Sequence, residues 1–129
     1  MKALTIVIVT IIILTGCLEK VTPEQIVNNL IYEIAALTEA TQGDISKQSG
    51  YSDYIWRSIL INKKYTREFF EKHLLKIATG RAIGNDIKLT NSYGSGSDYD
   101  AYYKNYLIEV DFKEGTEFNM VTIRCRIIK

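Results

Sequence analysis

Partway along this chain the interval between apolar residues changes from the three-to-four spacing of a helix to the strict alternation of a strand, which limits the folds open to it. Up to Gly80 the pattern is helical. Thr22-Pro23-Glu24-Gln25 reads as a helix start. Thr22 can cap, Pro23 suits the first turn, Glu24 meets the positive end of the dipole, and Gln25 can complete a capping box. Behind it Ile26, Val27, Leu30, Ile31, Ile34 and Leu37 recur on one stripe, and Gly43 marks the end. After a polar stretch from Thr38 to Gly50, Ser52-Asp53 can cap a short helix through Ile61 that carries Tyr54, Ile55, Trp56, Ile59 and Leu60. Asn62-Lys63-Lys64 interrupts it. Thr66 then caps a clearer helix through Thr79, with Glu68 in its first turn, Gly80 at the exit, and Phe69, Phe70, His73, Leu74 and Ile77 facing inward.

From Asp86 onward the period is two. Ile87 and Leu89 alternate with polar partners up to Ser92. Between Asn105 and Lys113, Tyr106, Ile108, Val110 and Phe112 share one face, with Leu107, Glu109, Asp111 and Lys113 on the other. Glu114-Gly115 signals a turn. From Glu117 to Ile128, Val121, Ile123, Cys125 and Ile127 share a face. If Lys113 pairs with Thr116, Ile108 falls opposite Val121 and Tyr106 opposite Ile123, which brings the two apolar faces together. The expectation is an α+β domain over residues 22–129, with N-terminal helices packed on one face of a C-terminal antiparallel sheet. Helices followed by a curved antiparallel sheet resemble the cone-shaped fold of nuclear transport factor two. No motif accompanies that resemblance, and a fold alone does not give a function.

The first 17 residues carry a different message. Met1-Lys2 is followed by an apolar run from Ala3 to Leu14, broken only by Thr5 and Thr10. About 12 residues at ~1.5 Å rise reach roughly 18 Å, against a hydrocarbon core of ~30 Å. A charged start, a short greasy stretch and small residues after it read as a signal peptide and not as a span. The run ends in Leu14-Thr15-Gly16-Cys17, which resembles the lipobox of bacterial lipoproteins; the resemblance covers residues 1–17 only. It implies that signal peptidase reads Leu14, Thr15 and Gly16 and removes residues 1–16. Cys17 then receives a diacylglyceryl group, and its new amino terminus is acylated, with palmitate as the expected chain. Two or more acyl chains hold stably where one does not. Residues 17–21 would be a short tether, setting the domain close to the bilayer. Leu18 stands where an Asp tends to retain such proteins in the inner membrane, so in a Gram-negative cell the outer membrane, facing the periplasm, is favoured.

Composition excludes several functions. The chain has 16 Lys and Arg against 15 Asp and Glu, and Lys2 is the one charge ahead of Cys17, so cleavage leaves the charges balanced. Nucleic-acid binding, which needs a basic face, is not expected. His73 is the only histidine and Cys125 the only cysteine besides Cys17. That pair cannot build a zinc site, so neither metal nor cofactor is expected. With Cys17 lipidated, no intramolecular disulfide is open to Cys125, which reads as a buried, inert thiol or, less favoured, as one that pairs between chains. His73 beside Phe69, Phe70 and Leu74 has no nucleophile or orienting partner in any motif. Glu109 and Asp111 stand about 7 Å apart on one strand face, a spacing open to acid–base work. Arg124 and Arg126 on the next strand make cross-strand charge pairing the simpler account. No enzyme is expected.

The remaining candidate is the stretch Tyr93-Gly94-Ser95-Gly96-Ser97-Asp98-Tyr99-Asp100. It lacks the later ligands of a calcium loop and the Lys-Ser/Thr of a phosphate loop. Its tyrosines Tyr93, Tyr99, Tyr102 and Tyr103, with Tyr106 behind them, suit a protein interface, where a large ring with a polar tip gives contact area at low entropic cost. The same tyrosines could instead close the sheet edge. The expected role is a lipid-anchored, non-catalytic binding or accessory subunit of an envelope assembly: secretion, conjugation or pilus machinery. An immunity or exclusion lipoprotein that blocks a toxin or a mobile element is the alternative. A small-ligand carrier, with an apolar pocket between helices and sheet, is a further one.

Overall fold

The structure, a computed structural model, describes residues 21–51, 54–85, 87–91 and 98–128. The leader, Leu14-Thr15-Gly16-Cys17, Ser52-Asp53, Asp86 and the stretch from Ser92 to Ser97 with Tyr93 lie outside the described residues.

Helix α1 (Pro23–Thr38) begins as its sequence predicts. Thr22 Oγ1 accepts from the Gln25 amide at 3.2 Å, and the Thr22 amide donates to Gln25 Oε1 at 3.0 Å, so two otherwise orphan amides are satisfied reciprocally. The helix stops five residues short of Gly43. Glu39 takes up the left-handed conformation after it (φ 58°), and the Thr38 hydroxyl donates to Ile34 O at 2.7 Å.

The next segment corrects the sequence expectation. Residues 54–61, read as a short helix, form the long strand β2 (Tyr54–Asn62), joined through residues 52–53 to the three-residue edge strand β1 (Ser49–Tyr51). Ile55 and Ile59 are four apart, an interval that both periods contain. Ile61 and the β-branched and aromatic content of the segment decide for the strand, with Ile55, Ile59 and Ile61 all buried on one face.

Helix α2 follows, starting as α over Arg67–Phe69, widening to a π turn over Phe70–Leu74, and resuming as α over Leu75–Ala82. Thr66 caps it as expected, accepting from the Phe69 amide at 3.2 Å. Its inward set differs from the expected one. Phe70, Leu74, Leu75, Ala78 and Thr79 are buried, whereas Phe69, His73 and Ile77 are exposed. The cause is the wide turn: the Leu75 amide bonds to Phe70 O, five residues back, which stacks Leu75 over Phe70 and carries Phe69, His73 and Ile77 outward. Gly80 lies inside the helix, not at its exit. A Cβ there would stand 2.4 Å from Asn85 Oδ1, so a larger residue would require the Asn85 side chain to turn away.

Strands β3 (Leu89–Asn91), β4 (Tyr99–Tyr103), β5 (Tyr106–Lys113) and β6 (Phe118–Ile127) complete a six-stranded sheet in the order β1-β2-β6-β5-β4-β3, antiparallel throughout. The α+β class holds. The order of elements does not: β1 and β2 come between the helices, so the helices-first arrangement behind the likeness to nuclear transport factor two is not the one found. The β5–β6 register is also shifted. Ile108 faces Cys125 and Tyr106 faces Ile127, four residues from the expected pairing. Lys113 pairs with Met120, and the intervening turn is held by Asn119, which accepts from the Gly115 amide at 3.3 Å and donates to Tyr65 O at 3.0 Å. A shift of four is even, so the apolar face remains the apolar face.

Both helices pack on that face. Ile26, Leu30, Ile31 and Ile34 of α1 meet Ile59, Val110, Val121 and Ile123 in one core, and the rings of Phe70 and Phe112 lie 5.2 Å apart. Each such aliphatic side chain contributes about 1.5–3 kcal/mol when fully buried.

Cys125 belongs to this core, and burial pushes its thiol up to about 12. The native thiol should therefore resist iodoacetamide at neutral pH and react once urea unfolds the chain, as mass spectrometry of the labelled site will show. The linkage has a definite sign. The unfolded thiol loses its proton near 9.0 while the folded one holds it to about 12, so stability should fall as pH rises through that window.

Candidate functional site

The described part of the tyrosine-rich stretch, from Asp98 onward, leads directly into a strand. In β4, Tyr99, Ala101 and Tyr103 face the helices, where Tyr99 and Tyr103 pack half-buried against the core; Asp100 and Tyr102 point to the opposite face, and Tyr102 is 62 % exposed. Tyr103 pairs with Tyr106 across a tight turn in which Lys104 adopts φ 54°. The strand thus sends its tyrosines to two ends of the sheet: Tyr99 to the end shared with Phe112, Tyr102 and Tyr103 to the end shared with Tyr106. Tyr93 lies outside the described residues.

At the Tyr99 end, Arg67 works as a clasp. Its Nη2 donates to Phe112 O at 2.7 Å, its Nη1 to Asp98 Oδ2 at 3.2 Å, and its guanidinium lies 5.2 Å from the Phe112 ring centroid. Asp98 in turn accepts from the Phe112 amide at 2.7 Å, while its own amide donates to Asp111 Oδ1 at 3.0 Å. Glu71 and Glu114 lie 3.9 and 3.7 Å from the same guanidinium. Burial holds the Tyr99 hydroxyl well above the usual phenol range, with a hydrogen bond to Glu71 adding to it. The base of the 92–97 stretch is therefore bolted to both α2 and β5. Neither Arg67 nor Asp98 was singled out from the sequence as a clasp. The one hint is Arg67 itself, a cation in the first turn of a helix, where the dipole disfavours it unless carboxylates gather around it.

The sheet face away from the helices carries rows of side chains fixed by register. Trp56, Arg124, Glu109 and Asp100 form one row; Ser58, Thr122 and Asp111 form the next. Arg124 Nη2 reaches Asp111 at 2.7 Å and Glu109 at 3.9 Å, and Arg126 Nε lies 3.9 Å from Glu109. The expected cross-strand pairing of Glu109 and Asp111 with Arg124 and Arg126 is thus present. Burial raises the Asp111 carboxyl, against the opposing pull of Arg124. Among the described residues neither helix covers this face, and its aromatic and charged groups stand together on a rigid platform.

Two further features frame these surfaces. A groove of about 630 Å³ runs between the C-terminal half of α2 and β3, lined by Thr79, Gly80, Ile87 and Leu89 with Lys76 and Lys88. His73 is exposed, its ring 5.1 Å from that of Phe69. Among the described residues no group of three or more metal-ligating side chains gathers, and no helix is long and apolar enough to cross a membrane.

Fold and surfaces together define an α+β domain with two helices on one face of a six-stranded antiparallel sheet and a charged, aromatic opposite face. No family model, no curated protein and no solved structure matches this chain.

Exchange of Arg67 for Met removes the donor to Phe112 O and the partner of Asp98. Urea unfolding should show a loss of about 1–3 kcal/mol, the cost of leaving such partners unpaired. Amide exchange at Asp98 and Phe112 should rise with it. Unchanged stability and protection would mean the clasp holds nothing.

Proposed function

We propose that this protein is a lipid-anchored component of a bacterial cell envelope whose domain acts by binding, as an accessory subunit of an envelope assembly such as secretion, conjugation or pilus machinery. One observation carries the reading: Leu14-Thr15-Gly16-Cys17 ends six residues before Pro23, where helix α1 begins. An anchor so close confines the domain to one membrane surface and raises its effective concentration near any partner there. The partner surface we favour is the open sheet face around Trp56, Arg124 and Glu109, extending toward the clasped Tyr99 end. Aromatic and Arg side chains on a rigid, half-desolvated platform are the groups that dominate interface energetics. The groove between α2 and β3 supports a second reading, a carrier of a small apolar ligand.

The anchor is tested by Cys17→Ser, which should leave a leader-bearing form that takes up no labelled fatty acid. Unchanged labelling would remove the lipoprotein assignment. For the partner surface, a photo-crosslinking residue at Trp56 should give one discrete adduct in intact envelopes, and the same residue at Lys72 on the helical side should give none. Equal yields from both positions would exclude the open face.

A further inference from the structure

We infer that the end of the sheet from which the tether leaves rests in the headgroup layer of an anionic bilayer, so that the domain has a fixed orientation on its membrane. This rests on the lipid-anchor reading above and adds to it a second, non-covalent contact. The register is the first argument. Tyr51, Tyr54, Arg126, Leu107 and Tyr102 form one row across β1, β2, β6, β5 and β4, and Tyr103, Tyr106 and Ile127 form the neighbouring row at the same end. Tyrosines from four strands thus converge on one end of the sheet, with Tyr99 alone at the other among the described strand tyrosines.

The exit of the chain is the second argument. The Tyr106 hydroxyl donates to Val21 O, so the segment that leads into α1 is pinned at this end. Cys17 lies four Cα steps before Val21, a reach of at most about 14 Å even fully extended. A lipid on Cys17 therefore cannot sit far from these tyrosines, and the end they occupy is the part of the domain nearest the bilayer.

Chemistry is the third. Tyr51 is 81 % exposed and Tyr102 62 %, an exposure that contributes little to the domain's own packing. Tyrosine favours the membrane–water interface, where its ring is half-immersed and its hydroxyl stays wet. Lys104, exposed and 5.3 Å from the Tyr103 ring centroid, and Arg126, 51 % exposed, add cations at the same end. Carboxylates on that side are Glu24, exposed in the first turn of α1, and the buried Glu109, 3.9 Å from Arg126 Nε.

The test uses the full-length lipidated protein in vesicles of phosphatidylethanolamine and phosphatidylglycerol. In a Trp56→Phe background, single tryptophans replace Tyr51, Tyr102 or Leu60, the last lying on the same face at the far end of β2. Lipids brominated along the acyl chain should quench the reporters at 51 and 102 severalfold more than the one at 60. Lys104→Glu should reduce the quenching at 102 in the anionic vesicles. Equal quenching at all three positions, in a protein that still floats with vesicles and carries fatty acid, overturns the orientation and leaves the anchor standing. A protein that neither floats nor takes up fatty acid removes the anchor and this inference with it.

Discussion

The antiparallel pairing of β2 with β6 is the interaction on which the rest of this domain depends. Nine residue pairs, from Tyr54 with Arg126 to Asn62 with Phe118, join the middle of the chain to its end. Without them the β1–β2 hairpin is an isolated two-stranded ribbon, which is marginal in water. The β3–β6 meander would then lose Ile55, Ile59 and Ile61 from the floor beneath α1. Helix α1 packs across both strands, so its apolar stripe has a complete surface to bury against only once this pairing exists. Contacts of such long sequence separation cost loop-closure entropy before they reward it, which slows folding.

How much of this was readable beforehand depends on whether a residue's local preference agrees with its tertiary setting. Thr22 and Gln25 act on amides within their own turn, so the capping box could be read from four letters. The alternation in β5 and β6 was equally plain, and Val121, Ile123 and Cys125 lie buried on the predicted face. Strand β2 is ambiguous in sequence because Ile55 and Ile59 satisfy either period, and only a long partner strand resolves the choice. Phe69 and Phe70 are adjacent and equally apolar, so which one turns inward depends on a π turn that no propensity encodes. The β5–β6 register failed for a related reason. The side chain of Asn119 reaches Tyr65 O, in another part of the fold, and lengthens a turn that Glu114-Gly115 alone would make tight.

The candidate surfaces divide in the same way. Glu109 and Asp111 opposite Arg124 and Arg126 followed from alternation once the two strands were recognised, and an even error in register left the partners on one face. The Arg67–Asp98 clasp could not be foreseen, since it links α2 to Asp98, just before β4, and to Phe112 of β5. The tyrosine-rich stretch looked like one surface because its members are close in sequence. A strand separates them: alternation sends Tyr102 to the face opposite Tyr99 and Tyr103, and strand length sends it to the opposite end from Tyr99.

That separation gives the proposed anchor a geometric meaning. If lipid on Cys17 holds the Tyr106 end of the sheet at the bilayer, the strands rise from the membrane and the open face looks sideways along it. A partner reaching Trp56, Arg124 and Glu109 would then approach in the plane of the envelope, from a neighbouring membrane-bound assembly, more readily than from the aqueous phase. The clasped Tyr99 end would stand farthest from lipid. Arg67 would matter there because it keeps the exposed end of the sheet rigid, where a free partner in solution would first make contact. A soluble partner and a membrane-embedded one would therefore read different ends of the same sheet.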